Sequence, residues 1–372
     1  MDVEREIRAL ANWPESGHLV LSVYLDASRT DEHARQKLRI FIKDRVKQLE
    51  KEMAGRRSRW AAVEEDVRFI ERYVEGLLAG LHDSEYNGIA LFCCEHEGLR
   101  SVIRSRIAFP NAFHVAPRPR IRPLAHLYDE FETALFVDAG QSHAAIYLVA
   151  AGEIDRVVTI ENEITPRPKP GRLPPSGRGD DQAGAHYRQV SDHLVREADE
   201  AGVRNVLLSG TSQAVASLKR LLPKRLAEHV IAELSLGKNP SREQVRESAV
   251  KALREAERAR EEAVVRQVLE MKTQAARVAV GVDQVLRALA HGRVHRLLIS
   301  DRFVRAGFRC TSCGKLGEKP PESCELCGEP VVSTDLGEAM VVSAIQRGAD
   351  IDEIVGHAEF EELGGVAALL RY

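Results

Sequence analysis

The stretch CTSCGKLGEKPPESCELCG, residues 310–328, constrains this chain more than any other. It holds four of the six cysteines, Cys310, Cys313, Cys324 and Cys327, as two C-x-x-C knuckles ten residues apart. Each knuckle turn aims two thiolates at one point, and two knuckles together supply the tetrahedron of soft ligands that zinc needs. Gly314 and Gly328 follow the knuckles directly, where a residue free to take positive φ relieves the turn. Four thiolates leave no position for water, so a zinc ion here is expected to be structural. The same residues without a metal would form a short polar insert with almost no apolar core. Cys93 and Cys94, the remaining pair, are adjacent in an apolar run, and the six together do not read as a disulfide framework.

Composition narrows the setting. The chain has 372 residues and a formal net charge of -3. That length allows two or three domains with separate cores. The charge gives no global basic field, so any contact with nucleic acid must come from local patches. No run approaches the ~20 apolar residues of a membrane span, and the start MDVEREIRAL lacks a signal peptide's apolar segment. A cytoplasmic protein without membrane contact is expected.

Periodicity organises the rest as an α/β chain. HLVLSVYLD (18–26) alternates as a half-buried strand, charged helical stretches follow over about 31–54 and 58–80, and NGIALFCC (87–94) is a strand opened by an Asn-Gly turn. FHVAPRPRIRP (113–123) is basic and interrupted by proline, which suits a linker. A second unit opens with ETALFVDAG, HAAIYLVAAG and EIDRVVTIENEI (132–164). It continues through a proline-rich loop, a helix from about 183, the buried strand RNVLLSG and the helix TSQAVASLKRLL. From the Ser241 cap one long helix is predicted, some 35 residues or roughly 50 Å. VDQVLRALAHG, RVHRLLISD, LGEAMVVSAIQRG, IDEIVG and GGVAALLRY then give helix, strand, helix, strand and strand around the cysteine insert.

These segments resemble a known family. VDQVLRALAHGRVHRLLISD, a zinc insert and LGGVAALLRY in that order resemble the third domain of archaeal and eukaryotic class I release factors and Pelota. NGIALFCC resembles the late strand of that family's first domain, and ALFVDAGQSHAAIYLVAAGEI the start of its second. The chain is thereby identified as a bacterial, Balon-like member of the archaeo-eukaryotic release-factor family. The resemblance implies an α/β, three-domain architecture. Its parts are an N-terminal domain with a helical hairpin (1–125), a central domain with the loop and the long connecting helix (126–275), and an L7Ae-like C-terminal domain (276–372) carrying a zinc-ribbon insert (308–330).

The resemblance also assigns candidate functional residues. Catalytic members carry Gly-Gly-Gln on a loop reached through a basic segment, and the loop enters the peptidyl-transferase centre. GRGDDQAGAHYR falls at that place, with Gln182 matching the glutamine and Asp180 and Asp181 standing where the glycines would be. The arm before it carries Arg167, Lys169, Arg172 and Arg178 and no acid from Thr165 to Gly179. Its prolines favour extension and its cations suit rRNA phosphates. A plain solvated loop is the alternative. Two carboxylates beside an ester under attack would oppose the developing oxyanion; one of them acting as general base is the competing role.

The first domain has no Asn-Ile-Lys-Ser motif, so stop-codon decoding is not expected. Arg56, Arg57 and Arg59 in MAGRRSRW suit RNA-backbone contact at a hairpin turn, or are an ordinary solvated turn. The family reading implies a monomer that binds the ribosome near the decoding and peptidyl-transferase centres, with a translational GTPase such as elongation factor Tu as a further partner. It makes a non-catalytic hibernation or stress factor the leading function. Rescue by peptidyl-tRNA hydrolysis through Gln182, and RNA binding unrelated to ribosomes, are the alternatives. His291 and His295 read as surface histidines, and Ser209 in LLSGTS lacks a nucleophile elbow around it.

Overall fold

A computed structural model describes residues 3–14, 17–28, 32–54, 60–80, 86–105, 107–130, 133–150, 152–161, 178–203, 205–237, 239–272 and 277–371. The chain divides into two compact units, one of residues 1–129 with 261–372, the other of residues 130–260. No helix among the described residues is long and apolar enough to cross a membrane.

In the first unit, helix α1 (Val3–Ala11) precedes strand β1 (Val20–Asp26), helices α2 (Glu32–Glu52) and α3 (Glu64–Leu78), and strands β2 (Gly88–Cys94), β3 (Leu99–Ser105) and β4 (Ala112–Ala116). The strands form one antiparallel sheet in the order β3-β2-β1-β4. Helix residues four apart, such as Leu38, Ile42 and Val46, pack on Leu21, Val23, Leu25 and Leu91, because the 3.6-residue period meets the two-residue period of the strands on one face. The segment 113–123 is not a free linker. Its first part is β4, paired along β1 from Val20↔Ala116 to Tyr24↔Ala112, and helix α4 (Arg122–Glu130) begins at its end.

The second unit is a five-stranded sheet, β7-β6-β5-β8-β9, built from β5 (Ala134–Ala139), β6 (His143–Ala150), β7 (Glu153–Glu161), β8 (Asn205–Gly210) and β9 (Val230–Leu234). β5, β8 and β9 run parallel, with β6 and β7 antiparallel at one edge. The unbroken apolar run in β5 follows from cover on both faces. Leu135 and Val137 pack under helices α5 (Arg178–Ala201) and α6 (Ser212–Leu221), while Ala134 and Phe136 pack against Val245, Ala249 and Leu253. A single turn, α7 (Lys224–Ala227), precedes β9.

Those last residues belong to α8 (Arg242–Met271), 30 residues long. Its start is a reciprocal capping box, with Gln244 N–H donating to Ser241 Oγ (3.2 Å) and Ser241 N–H to Gln244 Oε1 (2.9 Å), as the sequence predicts. Its second half belongs to the first unit, where Val264, Val265 and Val268 cover one face of the C-terminal sheet. That sheet runs β10-β16-β11-β15, from β10 (Val278–Val280), β11 (Val294–Ser300), β15 (Asp350–Ile354) and β16 (Val366–Leu370). Helices α9 (Val282–Ala290) and α10 (Leu336–Gln346) cover its other face, and α11 (Ala358–Glu362) precedes β16. The cysteine insert stands on a three-stranded sheet, β13-β12-β14, of β12 (Ala306–Cys310), β13 (Leu316–Gly317) and β14 (Val331–Asp335).

Candidate functional sites

The four knuckle cysteines converge, each thiol sulfur within 4.8 Å of the others. Cys310 and Cys327 Sγ are 3.4 Å apart, and Cys313 and Cys324 Sγ 3.6 Å. A tetrahedron of zinc–sulfur bonds of about 2.3 Å has edges of about 3.8 Å, so this donor set is compatible with a zinc site. The two knuckles repeat one backbone pattern. Gly314 N–H donates to Cys310 O and Gly328 N–H to Cys324 O, at 3.2 and 2.8 Å, with both glycines at positive φ (72° and 78°). Burial pushes the Cys310 thiol up, but backbone N–H groups of Cys313 and Ser312, with the thiols of Cys327 and Cys313, together bring it down to about 6. At Cys313 the Lys315 N–H is outweighed by burial and the other three thiols, which hold it up at about 12. At Cys324 the Leu326 N–H leads the same downward shift as at Cys310. These are the donors that stabilise thiolate at a metal. His291 and His295 are exposed and join no such cluster, and His291 Nδ1 lies 2.7 Å from Arg287 O. The four cysteines form the one candidate metal group among the described residues.

Of the residues assigned to RNA contact, Arg56, Arg57, Arg59, Arg167, Lys169 and Arg172 lie outside the described residues. Arg178, Asp180, Asp181 and Gln182 fall in the opening turns of α5, which starts five residues before the predicted position. Two adjacent acids near a helix N-terminus favour that earlier start, since they complement its partial positive charge.

The same unit holds two fully buried polar side chains, His186 and Ser209, with the half-buried Asp138 as the register partner of Ser209. Asp138 and Ser209 are register partners near the C-terminal ends of β5 and β8. Burial raises the Asp138 carboxyl, offset in part by Ser209. His186, four residues beyond Gln182, has no exposed surface, and burial lowers its pKa. Ser209 is likewise fully buried, so it offers no nucleophile to a substrate. The period of α5 marks position 186 as inward-facing, since Tyr187, Val190 and Leu194 bury the same side; a histidine there gives no other signal.

The arginines of PRPRIRP are also placed by partners far away in sequence. Arg122 donates to Glu353 Oε1 from Nη2 (2.7 Å) and Nε (2.9 Å), and to the carbonyls of Phe303 and Ser300. His126 Nδ1 lies 2.6 Å from the other Glu353 oxygen. Glu338 accepts from the backbone N–H of Ile121 (2.6 Å) and Arg122 (3.3 Å), and Arg120 Nη2 sits 3.0 Å from Asp335 Oδ2. These pairs tie the end of the N-terminal sheet to α10, β11 and β15 within one compact unit.

Residues 119–254 match the family model of bacterial archaeo-eukaryotic release factor family 10. No curated protein is significantly similar to the chain. Among solved structures, the archaeal translation termination factor aRF1 is 16% identical, with 100% of this chain and 97% of that one covered and a TM-score of 0.26. Archaeoglobus fulgidus Pelota is 14% identical over 77% and 79% of the two chains (TM-score 0.34). Saccharomyces cerevisiae Dom34, a translation termination-like factor that interacts with Hbs1, is 12% identical over 74% of each (TM-score 0.42). Likenesses at those TM-scores carry no functional reading.

Proposed function

We propose that this bacterial release-factor/Pelota-like protein is a translation factor that occupies the ribosomal A site without hydrolysing peptidyl-tRNA, as a hibernation or stress factor does. One observation carries the reading. The segment matching the release-factor family contains Asp180-Asp181-Gln182 at the start of α5, which the resemblance sets against the Gly-Gly-Gln of catalytic members. The glutamine is kept and the glycines are replaced by two acids, which supports docking at the peptidyl-transferase centre and opposes hydrolysis there. The N-terminal domain, with Arg56, Arg57 and Arg59, faces the decoding centre in this reading. The C-terminal residues 276–372 form an L7Ae-like domain that meets a translational GTPase of the elongation factor Tu class. The site of action is the cytoplasm, and the working form a monomer.

The direct test pairs two measurements on purified protein and 70S ribosomes. Co-sedimentation with ribosomes, without peptide release from a peptidyl-tRNA-loaded complex, is the expected result. Release by the unmodified protein would instead establish rescue through Gln182, and failure to co-sediment would leave RNA binding unrelated to ribosomes.

The arm supplies a second expectation. Replacing Arg167, Lys169, Arg172 and Arg178 with serine removes four cations, and each phosphate left without its cation lowers the slope of log affinity against log salt by about 0.7–0.9. Ribosome binding should weaken and its salt dependence flatten, while the melting temperature stays put. A quadruple variant that binds like the parent at every salt concentration would make the arm a bystander.

The insert 308–330 is, on this reading, a zinc ribbon. Metal analysis of protein prepared without chelator should find about one zinc per chain, the fourfold thiolate set being complete. Cys310→Ser with Cys324→Ser should lose the metal and loosen the insert, leaving the other cores intact. Metal-free protein with an ordered insert would rule the ion out.

A further inference from the structure

A cavity of about 410 Å³ opens between the segment Val115–Arg120 and the surface made by β12, β14 and α10. All of it belongs to the first compact unit. Its volume lies within the roughly 300–1,000 Å³ of pockets that take small organic ligands, well beyond what a bare oxyanion fills.

The charge on its walls is lopsided. Arg118, Arg120, Arg309 and Arg347 line it against two carboxylates, Asp335 and Glu338, and the knuckle cysteine Cys313. Both carboxylates are already engaged. Asp335 pairs with Arg120 and accepts from Gly337 N–H (2.9 Å) at the start of α10, and Glu338 holds the backbone of Ile121 and Arg122. Arg118 spends Nη2 on the carbonyls of Ala11 (2.8 Å) and Trp13 (3.0 Å), which fixes its guanidinium in place without neutralising it. Burial lowers the pKa of Arg118, the mark of a cation held partly out of water. A desolvated, immobilised guanidinium gains most from a multiply charged oxyanion, which its planar fork meets through two parallel hydrogen bonds.

The remaining wall mixes stiff apolar residues with polar ones, Gln346 among them. Val115, Pro117, Pro119, Leu316, Val332 and Val342 line it, with the hydroxyls of Ser333, Thr334 and Ser343 interspersed. Proline and β-branched side chains hold a flat surface open because they have little freedom to collapse into it. Such a wall takes a planar ring, and the hydroxyls offer hydrogen bonds to its edge or to a sugar.

We propose that this cavity binds a nucleotide, the phosphate held between Arg118 and Arg309 with Arg347 at the mouth, and the base laid against the proline and valine wall. A free nucleoside phosphate and a nucleotide turned out of an RNA strand present the same chemistry, and the test separates them. Equilibrium dialysis of the full chain should be run with adenosine and guanosine mono-, di- and triphosphates, with a trinucleotide RNA, and with inorganic phosphate. At least one nucleotide should saturate at one per chain and bind at least tenfold more tightly than phosphate. Arg309→Gln with Arg347→Gln should weaken it at least tenfold, and Ser343→Tyr should abolish it by filling the space. Binding by the trinucleotide alone assigns the nucleotide to an RNA strand in the same cavity. Amide exchange on the unmodified protein keeps the test independent of how the variants fold, with slowing expected over 115–120 and 332–347 when nucleotide is added. No binding of any nucleotide at millimolar concentration, phosphate binding as tightly as the best nucleotide, or exchange unchanged in both segments would each overturn the proposal.

Discussion

Arg122→Ala should lower the melting temperature of this protein by roughly 10 °C. The arginine is 14% exposed and its partner Glu353 8%, so the pair is largely out of water. Removing the arginine leaves the buried Glu353 carboxylate without its guanidinium, with His126 still on its other oxygen, and two carbonyls, of Phe303 and Ser300, without this donor. Breaking such a pair costs about 3–5 kcal/mol, and 1 kcal/mol moves the melting temperature of a unit this size by about 2–4 °C. Lysine should not rescue it, because a single ammonium cannot reach a carboxylate and two carbonyls from one stem. Arg225→Ala is the matched control. Its bidentate contact with Asp199 is equally short, at 2.5 and 2.8 Å, but both side chains are more than half exposed, and the melting temperature should hardly move. Equal shifts for the two variants would mean that the buried network stabilises nothing beyond an ordinary surface pair.

The acids of this network should respond to pH in opposite directions. Burial pushes the Glu353 carboxyl up, but His126 and Arg122 outweigh it and hold it below the ordinary 4.5. Its contribution is therefore present above that value and lost as pH falls through the lowered one. Burial raises the Glu338 carboxyl, and neither Arg120 nor the two backbone donors bring it back. The native state then takes up that proton before the unfolded chain does, so Glu338 adds stability as pH falls toward 4.5. Denaturation midpoints measured from neutral to acid pH should show Glu338→Gln removing the gain above 4.5 and Glu353→Gln reducing the loss below it. Parallel profiles for both variants and the parent would contradict these opposite shifts.

This network also shows where sequence stops being informative. The knuckles are legible because a thiolate tetrahedron demands four cysteines at short, fixed spacing, and the fold gathers those four sulfurs. The Ser241 box and the long helix are legible because capping and periodicity act within a few residues. PRPRIRP reads as a linker because prolines and arginines together usually mean a solvated connection. What holds Arg120 and Arg122 is a pair of glutamates more than 200 positions later, and no local pattern announces partners at that distance. His186 stays hidden for the opposite reason: its inward face is readable, but a buried histidine carries no sequence mark that separates it from an exposed one. The early start of α5 is masked because glycine at 177 and 179 reads as loop, while the two acids that follow favour a helical first turn.

That early start bears on the loop's chemistry. On the proposed A-site reading, changing both Asp180 and Asp181 to glycine should raise peptide release from a peptidyl-tRNA-loaded ribosome above that of the unmodified protein. Two effects act together. On the proposed reading hydrolysis of the ester would build an oxyanion near Gln182, to which Asp180 and Asp181, its neighbours in sequence, bring negative charge, and removing one unfavourable interaction of about 3 kcal/mol is worth on the order of a hundredfold in rate. Glycine also loosens the backbone. It costs a helix interior about 1 kcal/mol relative to alanine, and it gives up the favourable placement of acids at the N-terminus. The first turn of α5 should open and let Gln182 be carried by a chain free to take positive φ. Amide exchange over 179–183 reads this second effect separately from release. The double glycine variant should exchange faster there and release peptide, and Gln182→Ala added to it should exchange as fast but release nothing. Asp180→Asn with Asp181→Asn removes the charge while keeping the side chains, so release by this variant too would assign the silence to charge and not to backbone. Robust release by the unmodified protein, lost on changing either aspartate to asparagine, would overturn the argument and make the acids catalytic.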